Sequence, residues 1–152
     1  MTVKLMGARE LERALAELPK ATAKNVLRRV AKSALEPMAQ AARAKAPDDP
    51  RTGSPDLPSS IVVGEKRTRR VKRDTKFDTR TGVQMAMGPA SGGGVLNYAA
   101  LQEFGTVHAP AQPFMRPAWD SGADGALEHV KRELGNEIGK AADRLAKKRA
   151  RS

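Results

Sequence analysis

His108 and His129 are the only histidines in this 152-residue chain, and it has no cysteine. Acid–base, nucleophilic or metal chemistry would have to be built from these and from carboxylates, and the spacing does not build it. No HExxH, paired-cysteine or serine-nucleophile pattern surrounds either histidine. His108 lies in a proline-bounded loop and reads as an exposed or hydrogen-bonded ring. His129 stands beside Glu128 on a helix and reads as solvated. Asp48, Asp49 and Asp56 suggest a cation loop, but three prolines and no glycine at the EF-hand position argue against one. Gly92-Gly93-Gly94 lacks the following Lys-Ser/Thr of a phosphate-cradling loop and reads as a tether. The sequence therefore predicts no catalytic residue, no metal, no cofactor, and a protein that is not an enzyme.

A different chemistry is available between Lys66 and Arg80. Lys66, Arg67, Arg69, Arg70, Lys72, Arg73, Lys76 and Arg80 are eight of its fifteen residues, against Asp74 and Asp78. Such a stretch is too charged to pack into a core, and its basic groups can neutralise phosphates. They can equally dock on an acidic neighbouring subunit or stay solvated. No base-reading motif accompanies them, so a DNA contact would be sequence-independent. The chain as a whole carries 28 Lys+Arg against 17 Asp+Glu, a formal net charge of +11. That excess suits nucleic acid or an acidic protein surface, the plain alternative being a solubilising charge.

The third group lies between Asn97 and Asp120. One Tyr, one Trp and three Phe are all the aromatics of the chain. Tyr98, Phe104, Phe114 and Trp119 fall in this window, and only Phe77 lies outside. Aromatic rings bury the most area per residue, so the core or the main interface is expected here. The four rings read most simply as core. Glu103 ends an apolar run, where a charge is costly unless paired. Arg116 lies across the loop, so an ion pair within or between subunits is one reading, and two solvated charges the other. Gly105 reads as a helix stop, Pro110 and Pro113 as extended chain, and Pro117 as the first turn of a new helix.

These residues also carry a resemblance. Tyr98-Ala99, Glu103-Phe104-Gly105-Thr106 and Pro113-Phe114-Met115-Arg116-Pro117-Ala118 resemble the small neck proteins of tailed bacteriophages. That family is variously called head–tail joining, tail-completion or minor tail protein. The resemblance extends to the layout of helical N-terminal part, small β region, motif and C-terminal helix. It implies that the Pro-Phe-Met-Arg-Pro turn, with Trp119 just beyond, places the last helix against the sheet. It says nothing of the stretch from Lys66 to Arg80.

The elements that must position these groups follow from periodicity. Leu11, Ala14, Leu15 and Leu18 make one apolar stripe of a helix over 8–18. A second helical pattern runs over 21–46, with a kink or break expected at Pro37. Its apolar face is rich in alanine and gains stability chiefly by close packing on something else. The prolines of 47–58 predict a loop. Residues 60–65 and 82–88 read as paired strands, the second from the alternation of Val83, Met85 and Met87. The basic stretch 66–80 is then a long arm of a β-hairpin spanning 59–89. The aromatic motif occupies 97–119, and a long helix runs over 117–147, with four glycines against its continuity. Residues 147–152 read as a fraying basic end.

The length is that of one domain, 1–152, with a modest core. No apolar run reaches the roughly 18 residues that span a bilayer, and no apolar signal region opens the chain, so a soluble protein made in the host cytoplasm is expected. The fold class is α+β, helices packed on a small, mainly antiparallel sheet. By resemblance, the function is structural: a ring-forming connector, commonly six-fold, in the virion neck of a siphophage-like particle. Its partners would be head-closure or adaptor proteins, tail-tube or tail-terminator protein, further copies of itself and packaged double-stranded DNA. A sequence-independent DNA-binding module with no virion role is the second class. A small nucleic-acid enzyme is the third, and it lacks the carboxylate or metal constellation it would need.

Overall fold

The computed structural model describes residues 8–48, 56–65, 83–90 and 95–150. The basic arm expected over 66–80 and the Gly92-Gly93-Gly94 tether lie outside the described residues. Helix α1 spans Ala8–Ala16 and α2 spans Lys20–Lys45. Leu11, Ala14 and Leu15 are partly buried and Leu18 is buried, as the stripe requires. In α2 the buried positions are Val26, Val30, Ala34, Met38, Ala39 and Ala42, one helical face. The helix is not broken at Pro37. Both Pro37 and Ser33 are exposed, so the carbonyl that loses its amide partner faces solvent and the cost of the proline falls.

A single turn of helix, α3 (Leu57–Ser60), precedes strand β1 (Ile61–Gly64). Leu57 and Pro58 of this turn fall in the stretch expected as loop, and Ser60 in the stretch expected as strand. Pro58 sits in its first turn, where a proline has no intrahelical hydrogen bond to lose. Strand β2 (Ala86–Pro89) pairs antiparallel with β1, with Ile61 opposite Pro89 and Gly64 opposite Ala86. It starts later than the alternation implied, since Val83 and Met85 precede it outside the ladder.

Helix α4 spans Val95–Phe104 and helix α5 runs unbroken over Met115–Arg149. Its glycines do not interrupt it, and it starts two residues before the expected Pro117 and ends two beyond Lys147. α2 and α5 lie antiparallel along each other. Met38 meets Gly122, Ser33 meets His129, and Arg29 pairs with Glu137. His129 is thus half-buried rather than solvated. Its Nε2 lies 3.0 Å from Ser33 Oγ, which in turn donates to the Val30 carbonyl at 2.9 Å. Hydrogen bonds from Lys140 and Arg29 hold the Glu137 carboxyl below its ordinary pKa.

Two clusters form the core along this helix pair. Leu18, Val26, Val30, Ile138 and Ala141 close one end. Ala39, Ala42, Leu57, Ile61, Ala99, Phe114 and Ala118 close the other, where the helices meet the sheet. Layers of helix on a two-stranded antiparallel sheet make the fold α+β.

The glycines of α5 separate by what they touch. A Cβ at Gly122 would overlap Cγ of the buried Met38, whereas Gly125 and Gly139 have open space around them. Gly125→Ala and Gly139→Ala should each stabilise by about 0.5–1 kcal/mol through helix propensity. Gly122→Ala should instead destabilise by about 1–3 kcal/mol, because the overlap must be relieved inside a packed seam. Thermal unfolding of the three variants tests this, and three equal gains would show that α2 and α5 do not approach closely there.

Candidate assembly interface

The motif between α4 and α5 is held by four local devices. Gly105 ends α4 with φ of 76°, a left-handed conformation that side chains disfavour. A Cβ there would also sit 2.8 Å from the Ala111 amide nitrogen. Thr106 Oγ1 accepts from the His108 and Ala109 amides at 3.1 and 3.0 Å, and its own amide donates to the Ala109 carbonyl at 2.8 Å. The Gln112 amide donates to the Gln102 carbonyl at 2.7 Å, which returns the loop to α4. His108 is exposed at its tip, one of the two environments expected for it.

The fourth device is Glu103. Its Oε2 accepts from the amides of Phe114 and Met115 at 2.8 and 2.9 Å, and its Oε1 from that of Arg116 at 3.0 Å. These are unsatisfied donors at the start of α5, and a carboxylate also suits the positive end of the helix dipole. Burial pulls the Glu103 carboxyl up, but the three amides and the Arg116 charge outweigh it and leave its pKa below the ordinary value. The expected Glu103–Arg116 ion pair is therefore not formed within the subunit. The carboxylate is taken by backbone, and the Arg116 guanidinium lies over the Phe104 ring, 5.5 Å from its centroid.

The aromatic rings divide against expectation. Phe114 is 1% exposed and sits in the second core cluster. Tyr98, Phe104 and Trp119 are 42%, 67% and 52% exposed and are not core. The reason lies in the helical register. Ala99 and Ala118 take the inward positions of α4 and α5 beside Phe114, and their neighbours Tyr98 and Trp119 turn outward. Pro113 is exposed in the loop and Pro117 sits in the first turn of α5. The motif thus fastens one helix to the next and leaves large rings on the surface.

Phe104 and Trp119 border a cleft of about 600 Å³, while Tyr98 lies outside its lining. One wall is the β2 segment, with Met85, Ala86, Met87 and Pro89, and the other is Phe104, Arg116 and Trp119. The lining is overwhelmingly apolar, with Phe114 and Met115 at its floor. The β2 contribution was not singled out from the sequence. Its signal in the sequence is the Met85/Met87 alternation, which by itself implies only a half-buried face. Among the described residues no group of His, Asp or Glu could hold a metal ion.

Residues 9–105 match the model of the HK97-gp10-like family, described as "Bacteriophage HK97-gp10, putative tail-component". The chain belongs to this family. The match runs from α1 to Gly105, so it includes Tyr98, Glu103 and Phe104, while the Pro113–Ala118 segment lies beyond it. No curated protein and no solved structure matches the chain. Membership of the HK97-gp10-like family agrees with the resemblance read from the motif. It points to a phage tail component, located in the virion among other virion proteins. No helix among the described residues is long and apolar enough to cross a membrane.

Proposed function

We propose that this HK97-gp10-like chain is a ring-forming connector of the phage neck, of tail-completion or tail-terminator type. It joins the DNA-filled head to the tail as a hexameric ring, and its role is structural rather than catalytic. The observation that carries this reading is the exposure of Phe104 and Trp119 along one apolar cleft. Apolar surface concentrated in this way marks a face that a neighbour covers. That neighbour is another virion protein, and copies of the chain meet through a different face, where a head-to-tail interface that closes on itself leaves no sticky end and favours a ring over a filament. The basic residues from Lys66 to Arg80 then face either the DNA in the channel or acidic neighbours.

Native mass spectrometry of the purified chain, alone and with tail-tube or head-closure protein, should show assembly in at least one condition. Reconstruction of the virion should place a ring of this chain between head and tail. A chain that stays monomeric with both partners, or a neck without it, would refute the proposal. The net charge of +11 favours a second reading, a sequence-independent DNA-binding module. In that case the isolated chain would bind duplex DNA with an affinity falling steeply with salt.

A further inference from the structure

The free edge of β2 offers more than an apolar wall. The Ala90 amide donates to the Ser60 carbonyl at 2.7 Å, which makes Ser60 and Ala90 a hydrogen-bonded pair. In the antiparallel register, Val62–Gly88 and Gly64–Ala86 are the next such pairs. The backbone groups of Ile61, Val63, Met87 and Pro89 therefore point away from the ladder. On the β1 side, Arg43 Nε donates to the Ile61 carbonyl at 2.9 Å and covers that edge. On the β2 side, no described residue pairs with the amide or carbonyl of Met87.

The cleft runs along this edge, which no described residue pairs. Ala86 and Met87 are successive strand residues whose side chains take opposite faces, yet both line it. Met85 and Pro89 share the Met87 face, and no residue of β1 lines the cleft, which places it at the β2 margin of the sheet. Its far wall carries Arg116, whose guanidinium makes no ion pair among the described residues, because Glu103 is engaged by backbone amides. A two-stranded sheet is also short of the three strands that make a sheet independently stable.

We infer that this cleft accepts an extended, acidic segment of another protein as a third strand beside β2. Met87 supplies the main-chain donor and acceptor, Phe104 and Trp119 hold an apolar side chain of the segment, and Arg116 takes its carboxylate. Strand addition of this kind draws affinity from backbone hydrogen bonds and specificity from side-chain pockets. The occupant is a different protein because this chain already carries +11, so a second copy would bring like charge to Arg116. Pro89 has no amide to donate, which limits the pairing at that end of the strand. The inference rests on the neck reading only in taking the segment from a virion protein.

The test uses the full chain and short overlapping peptides tiling every protein of the virion, this chain included, with binding read by fluorescence anisotropy. The bound peptides should be acidic, extended and drawn from another protein. N-methylation of the peptide amide opposite Met87 should abolish binding. Arg116→Gln and Arg116→Glu, with folding checked by circular dichroism, should weaken it about tenfold or more. The inference is overturned if no peptide binds, if only peptides of this chain bind, or if binding ignores both N-methylation and Arg116. A virion whose neck contains this chain but whose peptides all fail sinks the strand site alone. Peptide binding without a neck ring sinks the neck reading alone.

Discussion

Phe114→Ala should lower the unfolding free energy by about 3–5 kcal/mol, the cost of deleting a fully buried ring and leaving a cavity. Phe114 is the largest fully buried side chain of the described residues, at 1% exposure. It stands where α4, the sheet and α5 converge, among Ala39, Ala42, Leu57, Ile61, Ala99 and Ala118. Four of these six neighbours are alanines, too short to collapse into the vacated space. The measurement is denaturant unfolding of the purified variant. Phe104→Ala is the control within the same motif. That ring is 67% exposed, so its loss should change stability by no more than about 0.5 kcal/mol. If Phe104 faces a partner, its variant folds normally and fails in assembly. Equal stability losses for the two would mean that the division of the aromatic rings between core and surface is wrong.

That division also shows where the sequence was legible. The long helices could be read because their apolar positions recur with helical spacing over many residues. Of the kink or break that Pro37 suggests, the break does not occur, since the penalty of an internal proline depends on whether the orphaned carbonyl can reach water, which local sequence does not state. The glycines of α5 were over-weighted for a related reason, as packing against α2 over most of its length outweighs a propensity deficit of about 1 kcal/mol at each. The aromatic motif was found as a unit but misassigned in its parts. Ring size predicts that something large is buried nearby, not which ring turns inward, and here the small Ala99 and Ala118 hold the inward positions. Arg116 and Glu103 were recognised as a charged pair of the motif, but their partners are backbone and ring. Opposite charges near in sequence suggest each other, while a helix start offering three free amides leaves no mark in composition. The free edge of β2 was the least legible, because it depends on which backbone groups the register turns outward.

Glu103 is where the folding of the motif and its response to pH meet. Glu103→Gln keeps the shape of the side chain but removes the charge and one of the two acceptor oxygens. It should cost about 1.5–3 kcal/mol at neutral pH, the range for hydrogen bonds to a charged group. The loss should appear first as fraying at the start of α5, where the amides served by the lost oxygen, either that of Arg116 or those of Phe114 and Met115, would have no acceptor. The sign of the pH dependence follows from the direction of the shift. The folded carboxyl has its pKa below the unfolded value, so the native state holds the proton less tightly. Its contribution is complete above the ordinary glutamate pKa of about 4.3 and is lost as pH falls through the lower folded value. The difference in unfolding free energy between wild type and Glu103→Gln should therefore be full at neutral pH and shrink in acid. Denaturant unfolding of both proteins at neutral pH and again well below the glutamate range measures it. Glu103→Asp, one methylene shorter, should fall between the two, since a shorter arm cannot reach all three amides. A difference that stays constant into acid would show that the carboxylate is not charged against the helix start, and the capping role of Glu103 would fall with it.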